Sequence, residues 1–319
     1  MDNEIRYDWT LEEVETIYHR PLLDLVFDAA RVHRAHHDPQ DIQKCSLVSI
    51  KTGACPEDCK YCSQSSRYNT ELEREPLMEI EDLMANARQA KAQGASRLCM
   101  GAAWRSAKKG REFDTVLEMV RRVSDEGLET CVTLGMLDEE QARQLKEAGL
   151  DTYNHNLDTS PENYANIVTT RTWEDRLTTL KHVRSAGLKV CCGGIIGMGE
   201  SDTDRCSLLQ TLAGFDPHPE SLPVNRLVPV AGTPLGDTEP VDDFDLIRTI
   251  ATARILCPKT RVRLSAGRKA LSKESQALCF LAGANSIFFG DSLLTTPNNE
   301  PNEDAKLFDS LGIDSIHVA

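Results

Sequence analysis

Three cysteines stand together in the segment K-T-G-A-C-P-E-D-C-K-Y-C, where Cys55, Cys59 and Cys62 form a C-x3-C-x2-C array. Three thiolates on one short loop can wrap a cubane iron–sulfur cluster and hold three of its four irons. The fourth iron is then free of protein ligands. An open iron suits a cofactor that must chelate the cluster and receive an electron from it. The competing reading is a zinc loop. Structural zinc usually takes four protein ligands, and no fourth partner stands nearby. A two-cluster ferredoxin pattern would need another cysteine soon afterwards, and the sequence lacks it.

A second set is dispersed. Cys99 ends SRLCMG, Cys131 lies in ETCVTLG, Cys191 lies in LKVCCGG and Arg263 lies in VRLSAG. Each falls on an apolar segment that reads as a strand. Cys131 and Cys191 both come four residues after a helix-ending glycine, and Cys99 comes five after. Side chains alternate inward and outward along a strand, and the inward ones of separate barrel strands converge on the axis. Three thiols and a guanidinium could therefore meet inside a barrel, below the first array. Core filling is the competing reading, because cysteine is among the most buried residues. For any one of these cysteines alone it is the better reading. Cys45, Cys206, Cys257 and Cys279 are read that way. Cys192, beside Cys191, should face outward, and its role is left open. An arginine inside a barrel needs anionic partners, which thiolates and sulfides would supply.

The elements that must position these residues repeat a theme. An amphipathic helix ends in glycine and a short apolar strand follows, as at Gly94, Gly127, Gly149, Gly187 and Gly283. Strands are expected at 46–52, 97–101, 129–134, 151–155, 188–194, 222–228, 261–265 and 285–289. Helices are expected near 77–93, 113–126, 138–148, 173–186, 203–214, 242–256 and 272–282. Eight strands alternating with helices predict an α/β fold, a (β/α)8 TIM-type barrel in a single domain. A doubly wound open sheet is the runner-up. Residues 1–40 are expected as an N-terminal helical segment, 41–311 as the barrel and 312–319 as a short tail. PNNEPNEDAKLFDSLGI reads as a polar loop leading to a small terminal element.

Composition narrows the class. The chain has 319 residues, 40% of them hydrophobic, and a formal net charge of -14 from 36 basic and 50 acidic side chains. No basic block stands out, which argues against nucleic acid or an anionic membrane as partner. The acidic start, MDNEIRYDWTLEEVETIY, has no apolar core for a signal peptide, and no apolar run is long enough to span a membrane. The 11 cysteines are expected as reduced thiols in a cytoplasmic protein, some of them committed to metal.

The C-x3-C-x2-C array after a first strand closely resembles the signature of the radical S-adenosylmethionine superfamily. The ordered motifs IKTGACPEDCKYCSQSSRY, CMGAAW, YNHNLDTS, KVCCGGIIGMGE, VRLSAGR, AGANSIFFG and LLTTPN are similar to the biotin synthase family. The resemblance as a whole runs from about residue 8 to about residue 311. The resemblance implies a 4Fe–4S cluster on Cys55, Cys59 and Cys62, with S-adenosylmethionine chelating the open iron and yielding a 5′-deoxyadenosyl radical. It implies a 2Fe–2S cluster held by Cys99, Cys131, Cys191 and Arg263, whose bridging sulfide enters dethiobiotin to make biotin. A protonated guanidinium has no lone pair to offer a metal. Arginine as a ligand therefore rests on the resemblance alone.

Further residues suit the cofactor and substrate. In YNHNLDTS, alternation puts Asn154, Asn156 and Asp158 on one face and His155 on the other, where a core histidine is the better reading. A carboxylate can accept two ribose hydroxyls, and carboxamides both donate and accept, as a ureido ring requires. The resemblance gives Asp158 to the ribose, Asn156 to the space between cofactor and substrate, and Asn225 to the ureido ring. It gives Tyr61 to the adenine, Arg176 to the methionine carboxylate, and Thr295 with Thr296 to the substrate carboxylate. Without it, Arg176 reads as a solvated helix residue and the two threonines as a turn. GGIIGMGE reads as close backbone approach to the nucleoside. Ser63 stands where many family members have proline, a change expected to matter little.

The implied partners are a flavodoxin-type electron donor and iron–sulfur assembly machinery, and the chain is expected as a homodimer. Alternatives are another radical enzyme, such as a lipoyl synthase or a hydrogenase-maturase-like protein, and a non-catalytic iron–sulfur carrier. The first would carry a second local cysteine triad, which is missing. The second would lack the Cys99, Cys131, Cys191 and Arg263 set. A carrier would not need Asn156, Asp158 and the two threonines.

Overall fold

The computed structural model describes residues 5–290 and 292–313. The chain opens with two helices, α1 (Leu11–Tyr18) and α2 (Leu22–His36). A capping box between Thr10 and Glu13 starts the first. The first packs against α8 (Asp202–Ala213) and α9 (Asp243–Leu256), and the second against α9 and α10 (Lys273–Leu281). Both opening helices lie within residues 1–40, where a helical segment is expected.

The barrel strands are β1 (Gln43–Lys51), β2 (Arg97–Ala102), β3 (Glu129–Thr133), β4 (Thr152–Asn154), β5 (Lys189–Cys191), β6 (Gly194–Ile196), β7 (Ser221–Arg226), β8 (Arg261–Leu264) and β9 (Ser286–Phe288). All pair in parallel, in the order β5-β4-β3-β2-β1-β9-β8-β7-β6, and a β5–β7 pairing closes the ring. Nine segments fill eight positions, because β5 and β6 are successive pieces of one barrel position. The break falls at Cys192–Gly193. There the sequence needs glycine, since a Cβ on Gly193 would lie 2.0 Å from the Pro223 carbonyl oxygen. A Cβ on Gly194 would crowd the Asp158 carbonyl oxygen at 2.9 Å. The close approach expected of this motif toward a nucleoside is thus, at these two glycines, an approach to the chain's own backbone.

The remaining helices are α3 (Ile80–Ala92), α4 (Arg111–Asp125), α5 (Glu139–Glu147), α6 (Pro161–Ile167), α7 (Trp173–Ser185) and α11 (Pro301–Leu311). Two correct the sequence reading. The short α6 has no counterpart among the expected helices. Ser160 caps it and Pro161 opens it. The supposed polar loop near the C-terminus is α11, opened by Pro301 and ended by a left-handed Gly312. Its charged face hides a buried anchor: Arg268 donates to both oxygens of Asp304, at 2.5 and 2.7 Å, with both side chains buried. Of the expected tail, residues 314–319 lie outside the described residues. No helix among the described residues is long and apolar enough to cross a membrane.

The main hydrophobic core lies between the strands' outward faces and the helices, with Leu98, Met100, Val132, Tyr153, Val190 and Ile287 among its buried members. The inward faces carry something else. Alternation and the register of the ladders stack three layers inside the barrel. The lowest is polar: Glu129 accepts from Arg97 at 2.7 Å and from Gln43 at 3.1 Å, and pairs with Lys189 at 3.5 Å. Two residues further along the strands come thiols. Two further still, Leu47, Thr133, Asn154, Asn225 and Phe288 line an open cavity.

Candidate active site

The cavity occupies the barrel end where the strands finish, and has a volume of about 330 Å³. That is within the range of small-molecule sites. Its wall includes Tyr61 and Cys62 of the first loop, Asn154, Asn156 and Asp158 beyond β4, Asn225 of β7, and Thr295 with Thr296.

The loop bearing the cysteine array follows β1 directly. Gly53 and Ala54 both take positive φ, 74° and 59°, which turns the chain sharply at the rim. Left-handed backbone is uncommon at alanine, and such strain often marks functional loops. The loop closes on itself through Cys55 N–H to Gln64 O at 3.0 Å and Ser66 N–H to Cys55 O at 2.7 Å. It is strapped to the α6–α7 connection, where Asp58 accepts from Thr169 N–H at 2.9 Å and Thr170 N–H at 3.1 Å. These bonds hold the Asp58 carboxyl down at about 2, against the opposing effect of burial. Cys59 is buried, while Cys55 and Cys62 are half-buried. Burial pushes the Cys59 thiol up to about 11, with Asp158 adding to it, and the Cys62 thiol up to about 12. Metal binding would have to displace those protons.

Behind the loop lies a buried polar group. Asp158, at φ 69°, accepts from Tyr61 Oη at 2.8 Å and is ion-paired to Arg176. Arg176 also donates to Tyr164 Oη at 2.7 Å and to the Asn156 carbonyl at 2.5 Å. Its guanidinium is buried, so the solvated-helix reading does not hold. Arg176 stands behind Asp158 rather than on the cavity wall. Arg171 is on the wall instead, with Nη2 3.9 Å from Cys59 Sγ. Sequence reasoning misses it. The only cue is its place in the TTRTWEDR segment, two residues before α7. Asn156 Oδ1 accepts from Gly193 N–H at 3.2 Å, and Asn225 bridges Gly194 O and Ala266 N–H at 2.9 and 3.3 Å. Asn154 Oδ1 is buried on the wall without a protein partner among the described residues. His155 is buried, and desolvation holds its imidazole well below the usual range. Ser63, expected to be neutral, has its hydroxyl 2.7 Å from Thr295 Oγ1 across the cavity mouth.

Beneath the cavity, Cys99, Cys131, Cys191 and Arg263 come together. All four are buried, on β2, β3, β5 and β8. Cys99 interacts with the thiol of Cys131, and Cys131 with that of Cys191. Arg263 Nη1 is 3.9 Å from Cys191 Sγ, its Nε donates to Ser286 Oγ at 3.0 Å, and it lies over the Phe288 ring. Burial opposes the Arg263 charge, but the surrounding thiols more than offset it. Cys99 is held low first by the Cys131 thiol and then by that of Cys45, and Cys191 is held at about 6 first by the Cys131 thiol, with the Arg263 and Arg97 guanidiniums adding to both. Cys192 turns away into the main core.

Sequence reasoning misses one residue of this layer and one of the layer just below it. It places Cys45 in plain core, because it starts the first strand at 46, one residue beyond that thiol. β1 in fact starts at Gln43, and Cys45 faces inward beside Cys99 and Cys131. Arg97, two residues before Cys99, shares its face. Its Nη1 is buried with no partner among the described residues.

Among the described residues no three His, Cys, Asp or Glu side chains gather as for a single metal ion. What both sets offer is the thiolate chemistry that iron–sulfur clusters take. The inner set fits an anionic cluster in another respect: Arg263 and the unpaired N–H of Arg97 are cations already buried there.

The comparisons with known proteins agree with this geometry. Residues 49–212 match the Radical SAM superfamily, and residues 223–314 match the Biotin and Thiamin Synthesis associated domain. The chain is 60% identical to the biotin synthase of Methylorubrum populi, over 97% of this chain and 91% of that protein. It is 61% identical to that of Methylobacterium nodulans, over 98% and 94%. The chain belongs to the biotin synthase family. It is accordingly a radical S-adenosylmethionine enzyme and a sulfurtransferase. The superfamily implies a 4Fe–4S cluster and S-adenosylmethionine. Among solved structures, the fold is similar to methylornithine synthase PylB, with a TM-score of 0.81 at 18% identity over 98% of this chain and 95% of that one. It is also similar to HydG, a maturase of the [FeFe]-hydrogenase, with a TM-score of 0.82 at 18% identity over 95% and 71%. Those likenesses speak for the barrel alone.

Proposed function

We propose that the two thiol sets divide the family's reaction between them, the outer one generating a hydrogen-abstracting species and the inner one delivering sulfur to dethiobiotin. The observation that carries this reading is the convergence of Cys99, Cys131, Cys191 and Arg263 in one buried layer directly below the cavity.

Cys55, Cys59 and Cys62 would hold three irons of a 4Fe–4S cluster. When bound, that cluster and S-adenosylmethionine supply an electron and an adenosyl group able to take hydrogen from unactivated carbon. This chemistry suits dethiobiotin, whose methyl and methylene carbons are too weakly acidic for base catalysis. Two C–H bonds must break for one thiophane ring to close.

The chain's own residues bind, orient and exclude water. Asp158 is preset by Tyr61 and Arg176 to present a carboxylate oxygen to ribose hydroxyls. The resemblance gives Arg176 to the methionine carboxylate; in this structure it stands behind Asp158, off the cavity wall. Asn156 lies between the nucleoside and the substrate. Asn154 and Asn225 can donate to and accept from the ureido ring. Thr295 and Thr296 offer hydroxyls to the substrate carboxylate without burying another charge. The reacting carbons would then sit over the inner layer, with Phe288 and Leu47 keeping water out. The 2Fe–2S cluster of Cys99, Cys131, Cys191 and Arg263 acts as a sulfur substrate, spent in the reaction. A flavodoxin-type donor, assembly machinery to rebuild the cluster and a homodimeric enzyme belong to the same reading.

The test is anaerobic reconstitution, followed by incubation with S-adenosylmethionine, dithionite and dethiobiotin. Biotin together with 5′-deoxyadenosine is expected. 5′-Deoxyadenosine release without biotin would point to a different substrate, and no release to a cluster carrier. Iron and sulfide analysis of Cys131→Ala against wild type should show loss of the smaller cluster and retention of the cubane. Retention of both would remove Cys131 from the site.

A further inference from the structure

Three neighbours of the inner set have no task in the proposed reaction: Cys45, Ser286 and Gln43. Gln43 on β1, Ser286 on β9 and Arg263 on β8 stand side by side in register on three adjacent strands. Their side chains form a file of hydrogen bonds. Arg263 Nε donates to Ser286 Oγ at 3.0 Å, the Ser286 hydroxyl donates to Gln43 Oε1 at 3.2 Å, and Gln43 Nε2 donates to Glu129 at 3.1 Å. The sense of the file is fixed from its lower end. A carboxylate only accepts, so the Gln43 amide turns its nitrogen to Glu129 and its oxygen to Ser286. Ser286 has one hydroxyl proton and gives it to Gln43, which leaves its oxygen to accept from Arg263. Glu129 is itself clamped by Arg97, through Nε at 3.0 Å and Nη2 at 2.7 Å. Cys45, fully buried, takes the next position on the guanidinium: Arg263 Nη2 lies 3.2 Å from its sulfur.

A guanidinium has three nitrogens. Here Nε and Nη2 are engaged by Ser286 and Cys45, and one face of the group lies over Phe288, 4.7 Å from the ring centroid. Nη1 is the nitrogen that turns toward the thiols of the inner set, 3.9 Å from Cys191 Sγ. A long side chain free of such partners would choose among several rotamers. Groups behind a metal ligand commonly fix its orientation in this way. We infer that Cys45 and Ser286, with Gln43 behind them, are positioning residues: they grip the Nε–Nη2 edge of Arg263 and present Nη1 to the inner cluster. Cys45 thus holds a member of the ligand set without belonging to it. The polar floor of the barrel, Glu129 with Arg97, anchors the grip. The inference rests on the reading of the inner site as a 2Fe–2S site with Arg263 as its fourth ligand, which it deepens.

The test uses the full chain reconstituted with 57Fe, read by Mössbauer spectroscopy and by the rate at which inner iron is lost to bathophenanthroline. Ser286→Ala and Cys45→Ala each remove one side of the grip. Cys45→Ser keeps an acceptor for Nη2 and is the conservative control. Gln43→Leu touches no ligand and breaks only the file behind Ser286. Inner iron should leave Ser286→Ala and Cys45→Ala roughly 10- to 100-fold faster than wild type, and Cys45→Ser should stay within about threefold. The doublet of the arginine-bound iron should broaden or split in Ser286→Ala and Gln43→Leu, while the iron held by two cysteines and the cubane keep their signals. A role in packing alone would lower Tm and move neither readout. Unchanged inner spectra and iron loss in both alanine variants would overturn the proposal. Iron loss from Cys45→Ser as fast as from Cys45→Ala would overturn it for Cys45. If wild type holds no iron beyond the cubane, or if both inner irons have all-sulfur coordination, the underlying reading of the site fails instead. Circular dichroism separates loss of the grip from loss of fold. Should Cys45→Ala not fold, Ser286→Ala and Gln43→Leu carry the test, and unaltered inner spectra in both overturn the proposal.

Discussion

The outer thiols share one loop, while the inner thiols sit on separate strands and meet only when the barrel closes. The outer loop needs positive φ at Gly53 and Ala54 and a belt of hydrogen bonds to the α6–α7 connection. It leaves Cys55 and Cys62 half-buried. The inner layer needs no special backbone, since alternation along four strands aims every side chain at the axis. Its thiols are at most 4% exposed. The difference matches two kinds of use. A site that must admit and release a cofactor suits a rim loop, and a sulfur store that must be kept from solvent suits the barrel interior.

The largest expected effect separates the two sets outright. Cys59→Ala removes one of three ligands that the loop supplies. It should abolish S-adenosylmethionine cleavage, at least a 10³-fold loss by the ~4 kcal/mol such a rate change represents, while iron and sulfide of the inner cluster persist. 5′-Deoxyadenosine release by chromatography and metal analysis check this. If inner iron is lost as well, the sites are not independent.

Next comes the group that links the loop to the barrel. Asp158 and Arg176 are both buried, and removing one partner leaves the other charge unpaired. Asp158→Ala should destabilise the fold by about 3–5 kcal/mol. Thermal unfolding of the apoprotein would show it. A loss below about 1 kcal/mol would mean that water reaches Arg176 easily, and that Asp158 is held less firmly than its geometry implies.

The same contrast explains what can be read from the chain alone. The outer array is legible because its spacing lies within a few residues of sequence. The barrel is legible because glycine-ended helices and apolar strands recur. The inner layer is partly legible, through the common distance of Cys131 and Cys191 from a preceding glycine. Cys45 escapes because no helix precedes β1 closely enough to set that count, so an error of one residue at the strand's start removes it. Arg97 escapes for a related reason: a charged residue at a strand's first position looks like an edge, and only the pairing with Glu129 shows that it faces inward. Likewise α11 hides its anchor, because Asp304 looks solvated until Arg268 is brought to it from a distant turn.

A third prediction sets access against ionisation. Cys191 is held at about 6 by the Cys131 thiol and the nearby guanidiniums, so it is largely thiolate near neutral pH. The Cys55 thiol is raised by burial, and Cys62 is raised to about 12. Thiolates, not thiols, react with iodoacetamide. If ionisation governed, Cys191 would be modified first. Because Cys191 is fully buried, Cys55 and Cys62 should instead be labelled at least tenfold faster in the apoprotein, as seen by peptide mass spectrometry. Their rate should rise with pH toward their raised values, while that of Cys191 stays slow and flat above pH 7. Early labelling of Cys191 would show that the barrel interior opens readily, and the store would no longer count as sealed.

The smallest effect tests the cavity mouth where the two regions face each other. Ser63 follows the outer array, and its hydroxyl shares a 2.7 Å hydrogen bond with Thr295 Oγ1. The bond links the loop to the threonine pair proposed to meet the substrate carboxylate. One neutral hydrogen bond of this kind contributes about 0.5–1.5 kcal/mol. Ser63→Ala frees Thr295 to rotate but leaves every thiol in place. The KM for dethiobiotin should rise two- to tenfold with kcat nearly unchanged, and the KM for S-adenosylmethionine should not move. Loss of the hydroxyl should also leave the cubane's spectrum as it is, since Ser63 is bonded to Thr295 and not to a cysteine. A rise confined to S-adenosylmethionine would mean that Thr295 serves the cofactor side of the cavity, and would reassign the threonine pair.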